Sequence, residues 1–203
     1  DFTQQEASAL ATVLKFGALP LAFDIGEAQT VSPTLGEEQL RAGLIAGALG
    51  LALVVLYLLL YYRALALVAV FSLVVAGVLT YGTVVLLGAT SFNFTLTLAG
   101  VTGLIVAIGI TADSFVVYFE RIRDEVRDGR SLRVALEAGW TRAKRTIIAA
   151  DAVSMIAAVV LYVLSVGSVR GFAFALGLTT VIDLLVVFTF TKPLITLLAR
   201  TRF

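Results

Sequence analysis

Three carboxylates, Asp113, Asp151 and Asp183, each interrupt a long apolar stretch of this chain. A carboxylate near the middle of a bilayer costs about 2.5–3.5 kcal/mol even on a lenient insertion scale, so three of them need a reason. Asp113 lies eight residues before Arg121, Asp151 six after Arg145, and Asp183 nine before Lys192. At ~1.5 Å per helical residue, all three fall roughly 9–14 Å inside the same edge of an apolar layer. No Lys or Arg shares that depth, since every basic residue lies between the apolar stretches or at their ends. A carboxyl group held there without a cation is cheaper neutral than charged. The chemistry such a layer supports is proton carriage, with a positive charge from a missing subunit as the alternative or additional compensation. The structural alternative is a protonated Asp hydrogen-bonded to a neighbouring helix. Asp113 and Asp151 are therefore the proton-relay candidates, and Asp183, which fits the structural alternative best, is the weaker third.

Small residues surround these acids: Gly103, Ala107, Gly109 and Ala112 on one stretch, Ala149, Ala150, Ser154 and Ala158 on the next. Small residues let helices approach closely, and Thr111, Ser114, Ser154, Thr179 and Thr180 offer hydroxyl partners to the acids. Gly109, Thr111, Ser114 and Ser154 are taken as supporting site residues. They do not define a site alone, because any membrane bundle is rich in such residues.

The elements that must position these groups are membrane helices. The chain has 203 residues, 60% hydrophobic and 14% charged, against about 25% charged in ordinary soluble domains. Between Arg63 and Asp113 there is no Asp, Glu, Lys or Arg, a run long enough for two crossings of about 20 residues each. The spans read as about 42–62, 65–87, 96–119, 146–166 and 171–191, with a short polar turn at 88–95. The fold class is an all-α membrane protein, a five-helix bundle. Cys and His are absent, which removes thiol chemistry, disulfides, Cys/His metal sites and imidazole relays. No metal is expected. The glycines near 100–103 and 171–177 lack the Lys and the strand-to-helix setting of a phosphate loop, and no basic tract suggests nucleic acid.

Residues 1–38 hold six of the fourteen acids and two of the three prolines. A short helix is expected from Gln5 to Phe16, followed by extended segments at 19–25 and 29–31. This reads as the α/β tail of an extracytoplasmic domain whose body lies upstream, and the chain is expected to be cut from a longer protein. Residues 39–203 form the bundle. Segment 120–145 carries eight of the fifteen basic residues, which places it and the C-terminus in the cytoplasm. Five crossings then put the N-terminal segment outside. Within that cytoplasmic loop, the third span should continue as a charged helix to Arg127 and stop at Gly129. Ser131 should cap a separate short amphipathic helix with Leu132, Ala135, Leu136 and Trp140 on one face, the Trp lying at the interface.

Four blocks carry a resemblance. Gly17-Ala-Leu-Pro20, leading on to Val31-Ser-Pro-Thr-Leu-Gly36, is similar to the end of the SecD extracytoplasmic domain and its lead into the membrane. Leu96–Gly103 through Ile108-Gly-Ile-Thr-Ala-Asp113 and Phe119–Glu125 resembles the SecD fourth-helix signature, usually "VDANV" followed by an "ER" pair. Asp151-Ala-Val-Ser154 resembles the fifth-helix motif, and Gly167–Ala173 the turn into the last helix. The match covers nearly the whole chain. It departs around Asp113, where Ser114 and Phe115 replace the usual Ala and Asn, and at Asp183, where many relatives carry a small polar residue.

The resemblance implies a resistance-nodulation-division type bundle in the bacterial cytoplasmic membrane. It implies a subunit that pairs with SecF, associates with the SecYEG channel and the SecA ATPase, and uses the proton gradient to help move preproteins. No cofactor is implied beyond that gradient, with Na⁺ as the other candidate ion. The fourth-helix Asp of the family conducts protons, and that role carries to Asp113. Enzymatic activity is not expected. A lipid or drug exporter of the same superfamily is the alternative, and an intramembrane aspartyl hydrolase using Asp113 and Asp151 is the remote one.

Overall fold

The computed structural model describes residues 3–16, 33–89 and 97–199. Its elements in order are α1 (Gln4–Phe16), α2 (Pro33–Tyr62), α3 (Ala64–Ala89), α4 (Leu98–Arg127), α5 (Leu132–Leu164), α6 (Ser168–Val186), a π-helical turn (Val187–Thr191) and α7 (Lys192–Leu198). Five of the helices, α6 together with its π turn and α7 counting as one, are long and apolar enough to cross a membrane. An apolar solvent leaves a backbone nowhere else to place its polar groups, so each span closes its own hydrogen bonds. The chain divides into two compact units, Asp1–Thr30 and Val31–Phe203. In the first, α1 is the described element. The extended segments expected at 19–25 and 29–31 lie outside the described residues.

The helix ends are set by local chemistry. Pro33 opens α2 at the first helical position, where its missing N–H costs nothing. Thr97 caps α4, its Oγ1 accepting from the Gly100 N–H at 3.1 Å. The other end of α4 closes with the N–H groups of Gly129 and Arg130 donating to the carbonyls of Val126 and Glu125. That pattern needs a left-handed residue just past the cap, and Gly129 supplies it at φ 82°. The stop at Gly129 expected from the sequence is thus made by a defined hydrogen-bonded turn.

The connection between α4 and α5 corrects one expectation. The amphipathic segment after Ser131 is no separate helix; it is the beginning of α5, which runs unbroken from Leu132 to Leu164. Its charges mark where the helix leaves the apolar layer, and charges do not end a helix. Ser131 stands at the N-cap but makes no side-chain capping bond. Trp140 is buried within the bundle, its ring packed between Tyr118 and Phe188. Glu125, fully buried, ties the turn together through Arg130 at 2.6 Å and Arg142 at 2.8 Å.

Helix α4 is the hub, packed against α5, α6, α2 and α3. Close approach follows from missing side chains. A methyl on Gly103 would meet Ala175 Cβ at 3.0 Å and the Phe172 carbonyl at 3.1 Å, and one on Gly139 would meet the α4 backbone at Ile122 N at 3.1 Å. A core of Leu58, Phe115, Phe119, Ile122, Leu136 and Ile147 fills the Arg-rich end. Dispersion between such surfaces holds membrane helices together, because lipid tails are as apolar as Leu. Many large side chains of α2 and α5, such as Leu44, Leu60, Val153 and Val163, point outward from the bundle.

Candidate functional site

The three acids stand at one level, but Asp113 does not join the other two. Helices α4 and α6 run parallel, since their contacts advance together along both: Gly103 faces Phe172, and Ser114 faces Asp183. Helix α5 runs antiparallel to both. Gly177 would carry its Cβ 3.4 Å from that of Ala158. Six residues on from Gly177 is Asp183, and seven back from Ala158 is Asp151. The two acids therefore stand within about one helical residue, ~1.5 Å, of the same level.

Asp183 and Asp151 lie inside the α4–α5–α6 junction, 1% and 2% exposed. Ser114 Oγ donates to Asp183 Oδ2 at 2.8 Å, and Thr111 lies close beside the same carboxyl. Asp183 is near enough to Asp151 to act on it electrostatically. Asp183 Oδ1 and Asp151 Oδ2 are both buried without a hydrogen-bond partner among the described residues. Buried like charges repel, and a proton on either carboxyl relieves that repulsion.

Asp113 points elsewhere. One residue turns an α-helix by about 100°, so the neighbour of Ser114 faces away from the α4–α6 contact. Asp113 is exposed, on a stripe with Thr102, Val106 and Gly109. Among the described residues, nothing beyond α4's own adjoining backbone lies within 4 Å of a methyl built on Gly109. The close approach expected at Gly109 is therefore not made by any described part of this chain. Thr179 and Thr180 donate to the carbonyls of Ala175 and Leu176 in their own helix, so those protons are not offered to the acids. Ser154, half-buried on α5, lies three residues beyond Asp151.

Residues 15–201 match the family model described as "Protein export membrane protein SecD/SecF, C-terminal". The chain belongs to the SecD/SecF family. It is 61% identical over 203 residues to protein translocase subunit SecD of Streptomyces coelicolor, covering 100% of this chain and 35% of that one. It is 57% identical over 200 residues to SecD of Mycobacterium tuberculosis, covering 98% of this chain and 35% of that one. The crystal structure of SecDF from Thermus thermophilus, a translocon-associated membrane protein, superposes with a TM-score of 0.81 at 34% identity, covering 98% of this chain and 27% of that chain. A second SecDF structure, in a super-membrane-facing form, gives 0.74 at 32% identity and covers 99% of this chain and 27% of that chain. The chain thus spans about a third of the length of the SecD relatives it matches, and it is a multi-pass membrane protein of that family.

Proposed function

We propose that this chain is the membrane portion of a SecD subunit that uses the proton gradient to assist preprotein translocation. SecF, the SecYEG channel and SecA are its partners in that reading. The basic turn between α4 and α5 faces the cytoplasm, and the acidic N-terminal segment lies outside. The observation that carries the proposal is the placement of Asp113 on an outer face of the hub helix, at mid-span depth. A carboxylate turned toward lipid there costs several kcal/mol. Thr102 and Gly109 of its stripe also suit a packed helix better than acyl chains. A second bundle covering that stripe would meet Asp113 directly. The Asp151–Asp183 pair behind it supplies further proton-holding groups.

The full-length protein, reconstituted with SecF in vesicles carrying an internal pH dye, is expected to pass protons down an imposed pH gradient. Proton flux no greater than that of empty vesicles, with transport driven by a Na⁺ gradient instead, overturns the choice of ion.

The stripe itself is tested by Gly109→Leu. The space around Gly109 in this chain is open, so the bundle should fold with wild-type yield. The added side chain should abolish copurification of SecF. Undiminished copurification would place the partner on another face.

A further inference from the structure

Tyr118 is a buried titratable group that the carboxylate layer leaves unused. It lies four residues after Ser114 on α4, about one turn of 5.4 Å toward the Arg-rich end. It is 1% exposed, and its hydroxyl has no hydrogen-bond partner among the described residues. A buried hydroxyl left unpaired loses the hydrogen bonds that water would have given it. A Phe would pack the same ring without that cost, so the oxygen calls for another explanation.

The surroundings supply one. The Tyr118 ring stands edge-on to Trp140 with centroids 5.2 Å apart, and Trp140 stands edge-on to Phe188 at 4.9 Å. These rings come from α4, α5 and the π turn, and they lie between the Asp151–Asp183 pair and the Arg-rich end of the bundle. Beyond them, Glu137 sits three residues before Trp140 on α5 and holds Lys192 of α7 at 3.3 Å. The Glu137 side chain is 58% exposed, so that carboxylate is wetted. Its charge also acts on the Tyr118 hydroxyl. Glu120 and Arg123, paired at 3.0 Å, lie farther along α4 beside Tyr62, and α3 has no charged residue.

We propose that Tyr118 relays protons through the ring layer, from the buried Asp pair to Glu137, and that the Glu137–Lys192 pair is the cytoplasmic release point. The proposal rests on the proton-carrying reading above. In the step, protonated Asp183 gives up its proton, which passes through one bridging water to the Tyr118 oxygen. Tyr118 at the same time yields its own O–H proton, through a second water, to the Glu137 carboxylate. Tyrosine is neutral before and after, Asp183 becomes a carboxylate, and Glu137 becomes neutral and then releases the proton to cytoplasmic water.

The test uses the full-length protein with SecF in vesicles, with Tyr118→Phe, Glu137→Gln, their double variant and Asp113→Asn run in parallel. Tyr118→Phe keeps the ring contacts, so SecF copurification should be unchanged. Its proton flux should fall about tenfold or more and lose its dependence on the pH of the cytoplasmic side. Glu137→Gln should do the same, and the double variant should be no worse than either single one. Wild-type flux in Tyr118→Phe beside abolished flux in Asp113→Asn overturns the relay and leaves the proton reading standing. Wild-type flux in both overturns that reading, and the relay with it. Flux lost in Tyr118→Phe but kept in Glu137→Gln overturns the release point.

Discussion

An Asp113→Asn variant should insert, fold and hold its partner as the wild type does, yet lose export driven by a proton gradient. Asn preserves the volume and hydrogen-bonding ability of Asp but cannot take up or give back a proton. A carrier must alternate between a charged form and a neutral one, and the variant is locked in the neutral shape. Asp113→Glu keeps the titration and moves the carboxyl by one methylene, so partial activity should survive. A purely structural Asp would reverse the order, because Asn replaces a protonated carboxyl well whereas Glu overfills the site. The measurement is preprotein translocation into inverted vesicles under an imposed gradient, beside SecF copurification. Wild-type export by Asp113→Asn refutes the assignment.

The second large effect is structural. Gly139→Leu should leave little folded protein in the membrane, because the α4 backbone leaves no room for a side chain. A Cβ there would lie 3.1 Å from Ile122 N and 3.2 Å from the Arg121 carbonyl carbon. Neither atom belongs to a flexible side chain that can turn aside, so α4 and α5 must separate. Overpacking of this kind costs about 1–3 kcal/mol, and more where backbone must move. Separation would also loosen Trp140 from Tyr118 and Arg142 from Glu125, both contacts across the same seam. Heating detergent-solubilised protein and following the folded fraction checks the result. Gly129→Leu would test a different cause, a left-handed backbone at φ 82°, and serves as the comparison.

The sequence showed the depth of the acids better than it showed their direction. Counting residues from Arg121, Arg145 and Lys192 placed the three acids at similar depths, because rise per residue is nearly constant in a helix. Rotation about the helix axis depends on which neighbour each face meets, and no linear spacing encodes that. Asp183, the weaker candidate by sequence, is held by Ser114 from 69 positions earlier. Asp113 turns outward although its neighbour Ser114 turns in. The fourth span was read from about 146, where Arg142, Lys144 and Arg145 mark the edge of the apolar layer, but helix α5 itself begins earlier, at Leu132. Tyr118 escaped notice because an aromatic inside an apolar stretch reads as filler. Its unpaired hydroxyl is visible only once the helices on every side are in place.

The π turn at Val187–Thr191 carries one more consequence. Each of its turns takes in an extra residue, so α7 is out of phase with α6. Were the same residues to tighten into an α-helix, everything beyond would swing by about 100° and shift by ~1.5 Å. Lys192, the first residue past the turn, would be carried away from Glu137, and Thr191 away from the Ser72 hydroxyl it meets at 2.8 Å. Phe188, inside the turn, would be drawn off Trp140. The last span therefore contains a vernier: a slip of a single residue, made without unfolding, would reset which side chains face the neighbouring helices.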